Sequence, residues 1–213
     1  MKTQTKRHAQ EIIGRLKDEY PGAHIVLNYS NDFELLVAVI LSAQCTDKKV
    51  NEVTASLFNK YRHIADYAGA DLGALEADIR PTGFFRNKAK SIKGAAAMVL
   101  EGFGGKIPST MDEILRLPGV ARKTANVVLG NAYGVVEGIA VDTHVKRLSQ
   151  RLGLSASSNP DKIERDLMDI VPKDDWFKLT YLLIEHGRAV CIANKPKCDS
   201  CLLNDICPSA FKV

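Results

Sequence analysis

Cys191, Cys198, Cys201 and Cys207 follow one another near the end of the chain with six, two and five residues between them. As thiolates so close together they would repel one another and expose reactive sulfur, unless a cation or an iron–sulfur core neutralises them. Met1–Arg7 is charged and polar, with no apolar stretch after a basic start, so no secretory signal is expected. In a reducing cytosol, disulfides are not the expected fate of these thiols. Two metals then compete. A structural zinc site is usually built from two short Cys-x2-4-Cys knuckles set apart by a longer span, whereas only Cys198 and Cys201 form a short pair here. The compact, uneven spacing favours a [4Fe–4S] cube over zinc. Cys45 lies far away in sequence and reads as a small buried residue rather than a ligand.

A second group of chemically suggestive residues runs Leu117-Pro118-Gly119-Val120-Ala121-Arg122-Lys123-Thr124-Ala125. Pro118 and Gly119 demand a tight reversal, and a glycine lets the backbone approach another group without interference from a Cβ. The helix launched by this turn has first-turn N–H groups and a dipole end suited to a phosphate oxygen, and Arg122 adds charge there. A plain turn between two helices uses the same letters. At 100° per residue, Ala121, Thr124, Ala125, Val128 and Ala132 gather on one helix face, while Lys123 points almost opposite with its amine accessible. Further on, Asp142 follows the apolar Ile139-Ala140-Val141 and precedes Thr143-His144-Val145. It reads as an N-cap, and a carboxylate held rigidly at a helix start is also a preorganised catalytic group.

The elements that must position these groups are helical almost throughout, with no apolar/polar alternation sustained enough for a sheet. Helices or short turns are expected at 4–19, 32–45, 47–62, 64–67, 72–79, 85–103, 110–116, 121–132, 142–152, 160–170 and 174–187. Asn31, Ser109 or Thr110, and Asn159 before Pro160 are suitable caps. No repeat, low-complexity segment or flexible linker marks a domain boundary.

At 213 residues and 46% hydrophobic, the chain can bury one core or two small ones. Its longest apolar run, Leu35–Leu41, is far short of the roughly 20 residues that span a bilayer, so it reads as a buried helix and no membrane role is expected. A formal charge of +4 permits a polyanionic partner. The basic residues cluster as Lys88, Lys90 and Lys93; Arg122 and Lys123; Lys146, Arg147 and Arg151; and Arg188, Lys195 and Lys197. Each cluster taken alone reads as a solvated helix face.

Taken in order, Leu41-Ser42-Ala43-Gln44, Asp47, Leu117-Pro118-Gly119-Val120, Arg122-Lys123-Thr124-Ala125-Asn126, Val141-Asp142-Thr143-His144, His186-Gly187-Arg188 and the four cysteines resemble the motifs of endonuclease III, the iron–sulfur family of helix-hairpin-helix DNA glycosylases. The resemblance covers nearly the whole chain. It implies an all-α fold of two lobes with a DNA cleft between them. One is a six-helix barrel over residues 25–135, with the helix-hairpin-helix at about 110–133. The other is discontinuous, residues 1–24 plus 136–213, and carries a [4Fe–4S] cluster on the loop 191–207.

The same resemblance implies a bifunctional DNA glycosylase and AP lyase of base excision repair, acting on duplex DNA that contains oxidised pyrimidines or abasic sites. Lys123 would attack C1′ of the damaged nucleotide and form a Schiff base, and β-elimination would then cleave the strand 3′ to the site. Asp142 would stabilise positive charge on the sugar and help deprotonate Lys123. Cys191, Cys198, Cys201 and Cys207 would hold the cluster. Gln44 would fill the hole left by the flipped base and Phe84 would wedge the opposite strand, with Leu117, Gly119, Ala121, Arg122, His144, Arg147, Lys195 and Lys197 as further DNA contacts. The protein would act as a monomer in the cytoplasm, on the nucleoid when bound to DNA. Two positions depart from the family pattern: Ala121 stands where a second glycine is frequent, and Phe84 where the wedge is often aliphatic. The competing readings are a mismatch glycosylase, which typically lacks the lysine, and a non-catalytic iron–sulfur DNA-binding protein in which Lys123 and Asp142 serve only phosphate contact and capping.

Overall fold

The computed structural model describes residues 2–212, and the side chains of residues 4–212. Among the described residues every regular element is helical, as the sequence pattern requires. None of these helices is long and apolar enough to cross a membrane. The chain divides into two compact units, residues 26–135 and residues 1–25 with 136–213.

The unit 26–135 is built on α2 (Asp32–Leu41), with α3 (Asp47–Lys60), α4 (Ile64–Gly69), α5 (Leu72–Ile79), α6 (Phe85–Phe103), α7 (Met111–Ile114) and α8 (Arg122–Tyr133) around it. Residues Phe33 and Leu35 to Leu41 of α2 are all buried, so the helix is apolar on every side and must be surrounded. Asn31 starts it by accepting the Glu34 amide at 2.9 Å. The helix stops at Leu41, short of the expected residue 45. The Ser42 hydroxyl bonds back to the Val39 carbonyl, and Gln44 adopts a left-handed φ of 52°, which an α-helix cannot continue through. Thr110, rather than Ser109, caps α7.

The other unit contains α1 (Lys2–Glu19), α9 (Thr143–Arg151), α10 (Pro160–Ile170) and α11 (Trp176–Ala189). α11 packs against α1 and α9, and α1 also meets α10. Ile12, Leu16, Val145, Leu148, Ile163, Leu167, Leu179 and Leu182 make a single core from all four helices. Asn159 caps α10 through the amides of Asp161 and Lys162, with Pro160 at the first helical position. Arg15 ties α1 to the cysteine segment through Asp205 and the Leu202 carbonyl. Leu203 in that segment is fully buried in the same core, so residues 198–207 fold as part of this unit rather than as a loose tail.

Candidate active site and cysteine centre

One end of the unit 26–135 collects several of the expected DNA contacts. Gln44, just past α2, is exposed. Phe84, at the start of α6, is left-handed with φ 48° and 63% exposed, so it is not a core aromatic. The Pro118-Gly119 turn packs on the same end. Gly119 has φ +80°, and a Cβ built there would lie 2.6 Å from Ser91 Cβ and 2.8 Å from Ser91 Oγ of α6. Only glycine satisfies both constraints. Gly119→Ala is therefore expected to cost about 1–3 kcal/mol, read as a fall in Tm, and to weaken binding to duplex DNA.

Arg122 and Lys123 open α8, with Lys123 exposed. Ala121 is the N-cap, in extended backbone and with no side-chain cap. The expected helix 121–132 therefore begins one residue later, and at the N-cap alanine is among the poorest residues. The first-turn amides of α8 are consequently left without a side-chain oxygen from that position. Leu117 is turned inward and only 2% exposed, so its side chain does not reach an outside partner.

Two members of the first basic cluster are not on a solvated face. Lys88 is buried, and its Nζ donates to the carbonyls of Leu41 at 2.9 Å and Thr82 at 2.8 Å. Burial lowers its pKa from the ordinary lysine value. Lys93 donates to the Ala70 carbonyl at 2.5 Å. Cys45 is half-buried rather than buried.

In the other unit, Asp142 caps α9 by accepting the Val145 amide at 2.8 Å, and it is only half-buried. Arg147 works inward. Its Nε and Nη2 donate to the Cys191 carbonyl, and Nη2 also donates to the Gly187 carbonyl at 2.9 Å and lies 3.2 Å from His144 Nδ1. It thereby joins α9, α11 and the first cysteine. Gly187 makes this approach feasible, since a Cβ there would sit 2.8 Å from His144 Nδ1 and 3.0 Å from Arg147 Nη2.

The four cysteines line one cavity, together with Arg151, His186, Pro196 and Asn204. Donors are directed at the sulfurs: Arg151 Nη1 lies 3.4 Å from Cys191 Sγ, and the Leu203 amide 3.5 Å from Cys201 Sγ. His186 Nε2 is 3.5 Å from Cys201 Sγ, while its Nδ1 is 3.2 Å from the Tyr20 hydroxyl. Burial pushes the His186 imidazole down to about 4. Burial also raises the Cys201 and Cys207 thiols, and the neighbouring cysteines raise them further. Those two thiols resist ionising on their own and suit a cationic core that accepts thiolates. Among the described residues no three His, Cys, Asp or Glu are arranged to hold a metal ion.

Sequence reasoning passed over Arg151 as a support of this centre, although its i+4 spacing from Arg147 puts both on one helix face. Arg151 also donates to the carbonyls of Ile192 and Ala193, at 2.7 and 2.8 Å. Of the two loop lysines, Lys195 is exposed with a left-handed φ of 54°, and Lys197 reaches back to the Ala189 carbonyl at 2.9 Å.

Residues 37–173 match the HhH-GPD superfamily base excision DNA repair protein family. Endonuclease III of Synechocystis sp. is 54% identical over 205 residues, spanning 96% of this chain and 94% of that protein. The chain belongs to the endonuclease III family. The Escherichia coli K12 endonuclease III is 39% identical over 203 residues, which cover 95% of this chain and 96% of that protein. A solved structure of a trapped endonuclease III–DNA covalent intermediate superposes with a TM-score of 0.92 at 45% identity, covering 96% of each chain. A thermostable thymine-DNA glycosylase, at 22% identity and a TM-score of 0.85, shares the fold. As a member of the endonuclease III family, the chain is a DNA glycosylase and AP lyase of base excision repair. The family carries a [4Fe–4S] cluster.

Proposed function

We propose that this glycosylase and lyase excises oxidised pyrimidines from duplex DNA, with Lys123 as the nucleophile and Asp142 as its catalytic carboxylate. The observation that carries the reading is an exposed lysine on the first turn of α8, directly after a Pro-Gly turn, on a helix whose N-cap supplies no side-chain oxygen. The positive end of α8 receives a backbone phosphate while Gly119 lets the turn approach it. Oxidised pyrimidines pair and stack poorly, so they cost less to extrude than intact bases. Gln44 and Phe84 fill the duplex in their place. The Lys123 amine attacks C1′, the base departs, and the iminium so formed acidifies the C2′ proton. Loss of that proton expels the 3′ phosphate and breaks the strand. Asp142, fixed by its bond to the Val145 amide, offsets the positive charge that grows on the sugar.

Cys191, Cys198, Cys201 and Cys207 would hold a [4Fe–4S] cluster, which when bound serves as a rigid cross-link of the segment 191–207. Lys195, on that loop, faces outward to phosphates. The protein acts as a monomer in the cytoplasm, on the nucleoid when bound. Cys198→Ser is expected to lose the visible iron–sulfur absorbance and at least about 2 kcal/mol of stability, as followed by absorbance and thermal unfolding.

The deciding experiment is borohydride reduction of the protein on a duplex bearing one thymine glycol, after anaerobic purification. A covalent protein–DNA band is expected. Release of free base with no trapped band would replace the lyase mechanism by a monofunctional one, and damage-dependent binding with neither would leave a binding protein.

A further inference from the structure

Lys88 sits on the first turn of α6 and is 5% exposed, an uncommon setting for an ammonium. The two carbonyls it binds each close an element. Leu41 is the last residue of α2, and Thr82 the last of the 3-10 turn Arg80–Thr82. Terminal carbonyls lack an amide from the next turn and form the negative end of the helix dipole, so one ammonium satisfies both ends together. Each closed end leads within three residues to an exposed side chain on left-handed backbone: Gln44 at φ 52° after Leu41, and Phe84 at φ 48° after Thr82. Non-glycine residues hold that conformation only where their surroundings enforce it, and such strain gathers at ligand-gripping positions. The α6 helix also buttresses the Pro118-Gly119 turn through Ser91, so Lys88 belongs to the helix that organises this whole end of the unit.

We propose that Lys88 is a positioning residue for damage recognition: by holding the Leu41 and Thr82 carbonyls on one ammonium, it sets the spacing at which Gln44 and Phe84 enter the duplex. The proposal rests on the reading of Gln44 and Phe84 as the residues that occupy the duplex. With the clip in place, both side chains are preorganised and a still-paired base is extruded against a fixed pair of wedges. Without it the two loops move independently, and displacement of about 1 Å at such positions is enough for large losses in rate. An abasic site has no base to extrude. Its capture by Lys123 is therefore much less sensitive to the clip.

The test uses Lys88→Met, which keeps the length and apolar body of the side chain and removes the ammonium. Single-turnover excision of thymine glycol from a fully paired duplex is expected to fall about tenfold or more, while borohydride trapping on an abasic duplex falls less than about twofold. In a Gln44→Ala, Phe84→Ala background, Lys88→Met is expected to add no further loss of excision. Equal losses on both substrates, or an additive loss in that background, would reduce Lys88 to a support of the fold and overturn the proposal. Should the Gln44→Ala, Phe84→Ala protein excise like the wild type, the reading of those two residues fails and the proposal falls with it. Should that protein be slow while Lys88→Met is not, only the proposal for Lys88 fails. If Lys88→Met does not fold, Lys88→Gln, whose side chain is one atom shorter and reaches at most one of the two carbonyls, so that they are no longer joined, takes its place in the same cycle with the same criteria.

Discussion

Lys123→Ala is expected to abolish the borohydride-trapped adduct and to lower the rate of strand cleavage by at least about a thousandfold, with little change in stability. The two effects separate because of where the residue lies. Lys123 is exposed on the first turn of α8 and contributes nothing to the core formed by Ala125, Val128 and Leu129 on the opposite face. Alanine is the best helix former, so the helix loses nothing at this position and the change in stability should stay within about 0.5 kcal/mol. Without the amine, however, no covalent link to C1′ can form and nothing acidifies the C2′ proton. Non-covalent binding to an abasic duplex should weaken little, because the first-turn amides of α8 and Gly119 that face the phosphate are untouched, and the dependence of affinity on salt should stay close to that of the wild type. Gel trapping alongside thermal unfolding tests this directly. A persisting adduct would mean that another amine is the nucleophile.

Asp142→Asn separates capping from catalysis at a single residue. Asp142 accepts the Val145 amide at 2.8 Å, and an asparagine oxygen serves that bond as well as an aspartate oxygen does. The start of α9 should survive, with stability within about 0.5 kcal/mol of the wild type. The charge that balances the developing oxocarbenium or iminium is removed, and base excision should slow by about 100- to 10,000-fold. Asp142→Ala should show the same kinetic loss plus about 1 kcal/mol of instability from the missing cap. Single-turnover excision rates with matched thermal melts give both quantities. Wild-type rates in Asp142→Asn would confine this residue to capping.

The fold and the chemistry were legible in the sequence to different depths. The helices could be read because their information is local. Asn31, Thr110, Asp142 and Asn159 each accept first-turn amides within three residues of themselves, and the apolar run Leu35–Leu41 needs only to be surrounded. Gly119 was legible for a similar reason, since a Pro-Gly pair demands a reversal whatever lies beside it. The sequence by itself thus determined an all-helical chain, the Pro-Gly turn before α8, the exposed lysine after it, and the cysteine spacing that calls for a metal centre.

The tertiary structure decided which charged and polar groups face inward. Lys88 and Arg147 both sit in basic clusters that read as solvated faces, yet their partners are carbonyls 47 and 44 residues away, at Leu41 and Cys191. No local window contains such a pair. Leu117 turns into the core, and α2 ends at Leu41 because Gln44 takes a left-handed backbone that residue type alone does not require. A helix start is settled by side chains a few bonds apart. Whether a long cationic side chain reaches water or a distant carbonyl depends on what the rest of the chain packs beside it, because an ammonium or guanidinium leaves solvent only where carbonyls already wait to replace the lost water.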